Sequence, residues 1–126
     1  MTTTLDLDPV REAALIAAQN DAFRRSILGT TPVADAPQGQ FVTTRSVAAL
    51  GIDAQLELTR RVAAFDGFNA DSDPQGWHEM GVIDLDGTTV WFKVDLYDTD
   101  YQYGSPEPSD PEQTRRVLTL LLPSEY

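Results

Sequence analysis

The sequence predicts an α+β domain in which two helices pack on one face of a small, mostly antiparallel sheet of three to four strands with a central hairpin. Three observations predict this class: an amphipathic stretch near the N-terminus, a second one in the middle of the chain, and alternating apolar residues on both sides of an Asp-Gly pair. The chain has 126 residues, of which 41% are hydrophobic, and this is enough for one modest core. We therefore expect residues 1–126 to form a single domain, with residues 1–7 disordered.

The first helix is predicted over residues 8–28. Asp8 can cap its start, Pro9 suits the first helical position, and Gly29 ends the run. Asn20 lies in the middle of the apolar face of this helix. Because a buried amide must be hydrogen-bonded, we expect Asn20 to tie the helix to a neighbouring loop.

The remaining elements follow from local composition. Residues 41–47, FVTTRSV, predict a short strand, and residues 51–66 predict the second helix. Two turn-rich stretches, 30–40 and 69–76, predict loops. Residues 115–122 are mostly apolar without a helical gap, which favours a buried strand and leaves a short helix as the open alternative.

The clearest element is the hairpin within residues 82–97, which turns at Asp86 and Gly87. This dipeptide is preferred in two-residue type I′ turns, so it fixes the register of the two strands. One face of the hairpin is then apolar and faces the core: Ile83, Leu85, Val90, Phe92, Val94 and Leu96. Extending the same register backwards places His78 opposite Asp95.

The formal net charge of −11 is concentrated in one segment. Residues 66–111 contain eleven acids and a single base, Lys93. The negative electrostatic field of this segment repels the backbone of nucleic acids and attracts basic surfaces. We therefore expect no direct binding to nucleic acid, and we expect the partner to be a basic protein surface. The alternative is that the acids serve solubility alone.

Other classes are disfavoured by what the chain lacks. Without cysteine it can form neither a disulfide nor a thiolate metal site, and no apolar stretch approaches the length of a membrane span. The start, MTTTLDLDP, does not resemble a secretory signal. We expect a cytoplasmic protein without a cofactor.

The candidate binding surface is the stretch LYDTDYQYGSPEPSD, residues 96–110, where acids alternate with tyrosines in a loop stiffened by prolines. Acids spaced along a semi-rigid loop with aromatic anchors suit docking on an Arg- and Lys-rich partner. The predicted binding residues are Asp98, Asp100, Tyr101, Tyr103, Glu107 and Asp110. Alternatively the tyrosines pack inward and three arginine pairs neutralise part of the acids: Arg24-Arg25, Arg60-Arg61 and Arg115-Arg116.

A catalytic alternative centres on the only histidine. In the predicted register one sheet face carries His78, Asp95, Lys93 and Tyr97, and a His beside a carboxylate is the minimal general-base pair. No nucleophile is evident, and a single His with an ion pair on a sheet face is usually structural, so we expect no catalytic residue. A hard cation would find its ligands among Asp71, Asp73 and Glu79 with Asp95, but acids in a loop mostly serve solvation and turns, so we expect no metal.

Two stretches carry a family resemblance: FDGFNADSDPQGWHEMG, residues 65–81, and FKVDLYDTDYQYGSPEPSDPEQTRRVLTLLLPSEY, residues 92–126. They resemble the domain-of-unknown-function 3768 family of small bacterial proteins, whose recurrent pattern includes Phe-Asp-x-Phe, Gly-Glu-His-Asp-Phe-Gly and Tyr-Gly-Ser-Pro-Asp-Pro. QNDAFRR, residues 19–25, is similar to that family's Leu-Asn-Asp-x-x-Arg helix. The chain departs from the pattern around its histidine, where Trp77 replaces the Glu and Glu79 the Asp. The resemblance implies a place on plasmids and other mobile elements, and no settled activity.

Together these observations predict a non-catalytic acidic binding protein. On a mobile element its natural target would be a host defence protein that binds nucleic acid, which it would inhibit by DNA mimicry, with carboxylates standing in for phosphates. Two alternatives stay open. One is a small metal-dependent hydrolase or nuclease that uses His78, and the other is a structural homodimer module that buries the face carrying Trp91.

Overall fold

A computed structural model describes residues 8–27 and 36–126. The predicted disorder of residues 1–7, the predicted end of the first helix at residue 28 and most of the predicted loop 30–40 lie outside the described residues. Within them, no helix is both long and apolar enough to cross a membrane.

Three α-helices are present in the described residues, where the sequence predicted two. Helix α1 spans Pro9–Ser26, and Asp8 caps it by accepting a hydrogen bond from the amide of Arg11. Helix α2 is a single turn, Arg45–Ala48, and helix α3 spans Ile52–Ala64.

The additional helix α2 takes over the second half of the predicted strand 41–47. Strand β1 is Gly39–Thr43, and at the next residue the side chain of Thr44 caps α2. The amide of Thr44 still bonds to the carbonyl of Leu120, so the chain leaves the sheet immediately after this residue. The predicted strand was therefore too long, because Thr44, the second of its two threonines, caps a helix.

Four strands form one mixed sheet in the order β1-β4-β3-β2, where β2 is Met80–Leu85, β3 is Thr88–Tyr97 and β4 is Arg115–Leu121. The β2–β3 and β3–β4 pairs are antiparallel, whereas β1 and β4 are parallel. The α+β class is confirmed, but the sheet is not purely antiparallel. The open choice for the last apolar stretch is resolved as a strand, and a short 3₁₀ helix, Pro123–Glu125, follows it.

The hairpin has the predicted register. Leu85 pairs with Thr88, and both turn residues have positive φ angles, 51° at Asp86 and 90° at Gly87. The apolar side of the sheet and all three helices enclose one core, which consists of Phe23, Val47, Leu58, Val62, Ile83, Leu85, Val90, Phe92, Val94, Leu118 and Leu120.

The topology brings two acidic loops to the same end of the sheet. The first, residues 66–79, enters β2, and the second, residues 98–114, leaves β3, which runs antiparallel to β2. They contain four and five acids respectively, and neither contains Lys or Arg. We call these two loops the acidic end.

Helix α3 places Asp53, the acid of its first turn, at the end of the sheet opposite the acidic end. Near the C-terminus of α3, Arg61 contacts the end of β2 at Asp84, and the ring of Phe65 lies beside Gly81, near the start of β2. The helix therefore runs antiparallel to β2. Its first turn, with the exposed Asp53, lies toward the hairpin turn and away from the acidic end.

Candidate functional site

The histidine does not share a sheet face with Asp95, so the predicted placement of His78 is wrong. His78 precedes β2 and has a φ angle of 56°, which turns its side chain toward the helices. Its Nδ1 lies 3.0 and 3.1 Å from the two carboxylate oxygens of Asp21 in α1. Its ring stacks on Phe68, with centroids 4.1 Å apart and planes inclined by 3°.

Asp21 also accepts a hydrogen bond from Arg24, whose side chain is 1% exposed. Arg24 donates to the carbonyl oxygens of Val62 and Phe65 as well, and so satisfies the C-terminal end of α3. Burial lowers the pKa of Arg24, against the opposing effect of its hydrogen bond to Asp21. This cluster ties α1, α3 and the first acidic loop together, which is a structural role.

The other residues of the catalytic alternative do lie together on the open face of the sheet. Lys93 donates a hydrogen bond of 2.6 Å to Asp95, and this contact raises the pKa of Lys93. Tyr97 follows on the same face of β3. The arrangement is an ion pair without the histidine, so the general-base pair of His78 and Asp95 that the catalytic alternative requires does not form.

The acids named as ligands for the case of a bound metal are not gathered around one point. Asp73 is buried, and its two oxygens accept hydrogen bonds from the amides of Trp77 and His78, each at 3.1 Å. Asp71 is exposed, and its amide is held by the side chain of Asn69. Across residues 8–27 and 36–126, no group of three His, Asp or Glu side chains is placed to hold a metal ion.

Glu79 stands between the first acidic loop and the open sheet face. Burial raises the pKa of its carboxyl, and the nearby carboxylates of Asp73 and Asp95 raise it further. A groove here is lined by Ser72, Glu79, Met80, Lys93, Val94, Asp95 and Tyr126. Burial, reinforced by these two carboxylates, therefore disfavours the ionised form of Glu79.

The second acidic loop is held in a defined shape by its own side chains. Asp98 accepts hydrogen bonds from the amides of Asp100 and Gln102, and Asp110 accepts one from the amide of Glu112. These two acids therefore shape turns, in addition to carrying charge.

Further contacts tie this loop to the sheet. Thr114 is fully buried, and its hydroxyl donates to the carbonyl of Glu107 at 2.8 Å and contacts the hydroxyl of Ser105. The amide of Ser105 bonds to the carbonyl of Leu96 in β3. The loop is thus a shaped extension of the sheet.

The remaining predicted binding residues differ in accessibility. Asp100 is exposed and Tyr103 is 73% exposed, whereas Tyr101 and Glu107 are half-buried. The structure brings the six predicted residues together in one loop, but two of the acids are engaged with backbone amides.

The arginine pairs do not neutralise the acids of residues 66–111. Arg24 pairs with Asp21, and both Arg60 and Arg61 pair with Glu57. In the described part of the chain, the one ion pair that involves an acid of this segment is the one between Lys93 and Asp95. In the described residues, no carboxylate of the acidic end is compensated by a direct ion pair.

The third arginine pair is bonded to backbone and amide groups, and in the described residues it forms no ion pair with those acids. Arg115 donates to the carbonyl oxygens of Glu112 and Thr114. Arg116 is fully buried, and burial lowers its pKa to about 10. It bonds to Asn20 at 2.6 Å and to Gln19 at 3.0 Å, and its Nη1 finds no hydrogen-bond partner among the residues that the structure describes.

The predicted tie by Asn20 is confirmed, since its side chain donates to the carbonyl of Trp77 at 2.9 Å in the first acidic loop. The burial of Arg116 was missed. Its signal lay in the sequence, because Arg116 alternates with the core residues Leu118 and Leu120 along β4.

The fold and site together define a small α+β protein whose conspicuous surface feature is an uncompensated acidic end. The chain belongs to the family described as "Protein of unknown function (DUF3768)", whose family model matches residues 43–125. The matched residues include both acidic loops, whereas the similar helix motif at residues 19–25 lies outside them. Neither the curated proteins nor the solved structures that were compared give a match.

Proposed function

We propose that this protein is a non-catalytic binding protein that docks its acidic end on a basic surface of another protein. The observation that carries the proposal is the absence, within the described residues, of any ion pair between an arginine and an acid of residues 66–111. Uncompensated carboxylates on a surface steer positively charged partners and speed their association.

The shape of the second acidic loop supports the same function. Because the hydrogen bonds of Asp98, Asp110 and Thr114 already fix this loop, little conformational entropy is lost when it binds. Tyr103 projects into solvent beside these acids. An exposed tyrosine supplies contact area at low entropic cost, so it suits the role of an anchor in the interface.

The finer proposal is that the partner is a nucleic-acid-binding protein and that the acidic end competes with nucleic acid for it. Carboxylates at the acidic end would occupy the arginines and lysines that otherwise hold phosphates. A host defence protein is the target we propose, since the family resemblance implies a place on mobile elements.

Two other functions draw less support. A hydrolase would need an available base, but His78 is stacked on Phe68 and bonded to Asp21, which Arg24 also holds. A homodimer through Trp91 would need that side chain free, but the C-terminal Tyr126 contacts it edge-on with centroids 5.5 Å apart.

The test is capture of partners from a nuclease-treated bacterial lysate on immobilised wild-type protein and on two variants. Asp100→Lys reverses a charge at the acidic end, and Asp53→Lys makes the same change at the opposite end of the sheet. Both acids are exposed, so both variants should fold. We expect wild type and Asp53→Lys to capture the same basic protein, Asp100→Lys to lose it, and duplex DNA to displace it. Capture of the same proteins by all three would contradict the proposal.

A further inference from the structure

The outer edge of the sheet at β2 carries backbone groups that point away from the fold. The amide of Val94 donates to the carbonyl of Glu79 at 2.8 Å, so Glu79 faces β3 with its backbone groups. In an antiparallel ladder the direction alternates from residue to residue. The amides and carbonyls of Met80, Val82 and Asp84 therefore point outward, along the edge that no other strand of the described sheet covers.

Within residues 8–27 and 36–126, the hydrogen bond that covers this edge lies at its end near the hairpin turn. Arg61 donates a hydrogen bond of 2.8 Å to the carbonyl of Asp84. In the described part of the chain, neither Met80 nor Val82 makes a hydrogen bond through its outward amide or carbonyl. Natural proteins usually block such edges, because an open edge can pair with another chain.

A groove of about 290 Å³ lies beside the open half of the edge. It is lined by Phe65, Gly67, Asn69, Ser72, Met80, Gly81 and Val82. The side chain of Val82 is 53% exposed on the other side of the strand. A strand added here would thus have backbone partners along the edge, a groove for side chains on one face, and an exposed valine on the other.

We infer that this edge binds an extended, basic segment of the partner protein, which adds to the sheet as a fifth strand. The inference rests on the proposed function, because charge selects the occupant. Residues 66–86 contain six acids and neither Lys nor Arg. A second copy of this chain would bring its own six acids alongside them, whereas a segment that carries Arg or Lys is attracted to them.

The added strand takes its affinity from the main chain and its selectivity from charge. The outward amides of Met80 and Val82 donate to carbonyl oxygens of the segment, and their carbonyls accept from its amides. Side chains of the segment alternate between the groove beside Phe65 and the open sheet face near Val82. The Arg and Lys side chains reach the acids on both sides of the edge, such as Glu79.

The test uses a synthetic peptide of about ten residues that alternates arginine and valine and has blocked ends. Upon binding, hydrogen exchange should slow at the amides of Met80 and Val82. Val82→Pro removes one outward donor at a position where an edge strand tolerates proline, and it should weaken binding by about tenfold or more. Val82→Ala keeps the amide and should stay within about threefold of wild type.

A second experiment uses only the wild-type protein, so its result does not depend on whether Val82→Pro folds. It compares two modified forms of the peptide. In one form the arginine amides are N-methylated, and in the other the valine amides are. Because alternate residues of an added strand face the sheet, one form should lose binding and the other should keep it. Equal binding of the two forms, or no slowing of exchange at Met80 and Val82, would overturn the inference. If binding nevertheless weakens in Asp100→Lys and not in Asp53→Lys, the acidic docking function stands without the edge.

Discussion

Asp21 and His78 are 57 residues apart in the chain, yet Nδ1 of His78 lies within 3.1 Å of both carboxylate oxygens of Asp21. The same carboxylate pairs with the buried Arg24, which in turn bonds to the end of α3. The contact therefore belongs to a polar network inside the fold. We therefore expect substitutions of Asp21, Arg24 and His78 to change the stability of the fold.

Replacing Asp21 with Ala should lower the free energy of unfolding by about 3 kcal/mol, because it leaves the charge of Arg24 buried without a counter-charge. His78→Phe keeps a ring that can stack on Phe68 and loses only one hydrogen bond, so its cost should be about 1 kcal/mol. Denaturant unfolding of both variants gives the comparison. A larger loss for His78→Phe than for Asp21→Ala would contradict a structural role for this histidine.

The Gly87 position tests the hairpin. Its φ angle is 90°, so Gly87→Val places a β-branched residue in a conformation that costs about 1–3 kcal/mol. Gly104→Val is the matched control, since a Cβ at Gly104 meets no atom within 4 Å and its φ angle is not in the left-handed region. The control should lose about 0.5 kcal/mol or less in thermal unfolding. Equal losses would show that the turn does not depend on glycine.

The hairpin could be predicted because its determinants are local. Asp86 and Gly87 specify the turn, and the turn fixes the register for several residues on each side. The prediction from this register was wrong at His78, because its positive φ angle ends the regular strand before Met80. That angle depends on Asp73, which holds the amide of His78 through a loop contact that no periodic pattern reveals.

The site was predictable in composition but not in geometry. Clustering of acids in residues 66–111 is visible in the sequence, and the turn at Asp86 and Gly87 implies that the chain on either side of the hairpin meets at one end. The parallel pairing of β1 with β4 joins residues more than seventy positions apart. The burial of Arg116 against Asn20 spans 96 positions and depends on that same packing.

Asn20→Ala should be among the more damaging substitutions in α1. It removes the acceptor of the buried Arg116 and the donor to the carbonyl of Trp77, so the expected loss is about 2–4 kcal/mol. Gln19→Ala removes a longer contact to Arg116 and a hydrogen bond to the carbonyl of Ser109, both at a half-buried position, and should cost less. Chemical denaturation of the two variants measures the difference. If Gln19→Ala costs as much as Asn20→Ala, Asn20 is not the principal partner of Arg116.

Glu79→Gln should stabilise the protein at about pH 7 and have little effect at about pH 3. Because the pKa of Glu79 is raised in the folded state, folding favours the protonated carboxyl, and the ionised form costs stability. The protonated Glu79 therefore stabilises the fold at low pH. This contribution is lost as the pH rises from the pKa of Glu79 in the unfolded chain to above its higher pKa in the folded protein. Melting temperatures of both proteins across this range give the test. A stabilising effect that grows as the pH falls would contradict the raised pKa.

The most direct test of the acidic docking surface is the association rate constant for the basic partner that the wild-type protein captures. It should be measured from about 0.05 to 0.5 M salt for wild type, Asp100→Lys/Glu107→Lys and Asp53→Lys. We predict that the double variant associates about tenfold more slowly at low salt, with a smaller change in dissociation, and that the difference shrinks as salt screens the charges. Asp53→Lys should remain close to wild type. Equal association rates for wild type and the double variant, without dependence on salt, would contradict the account.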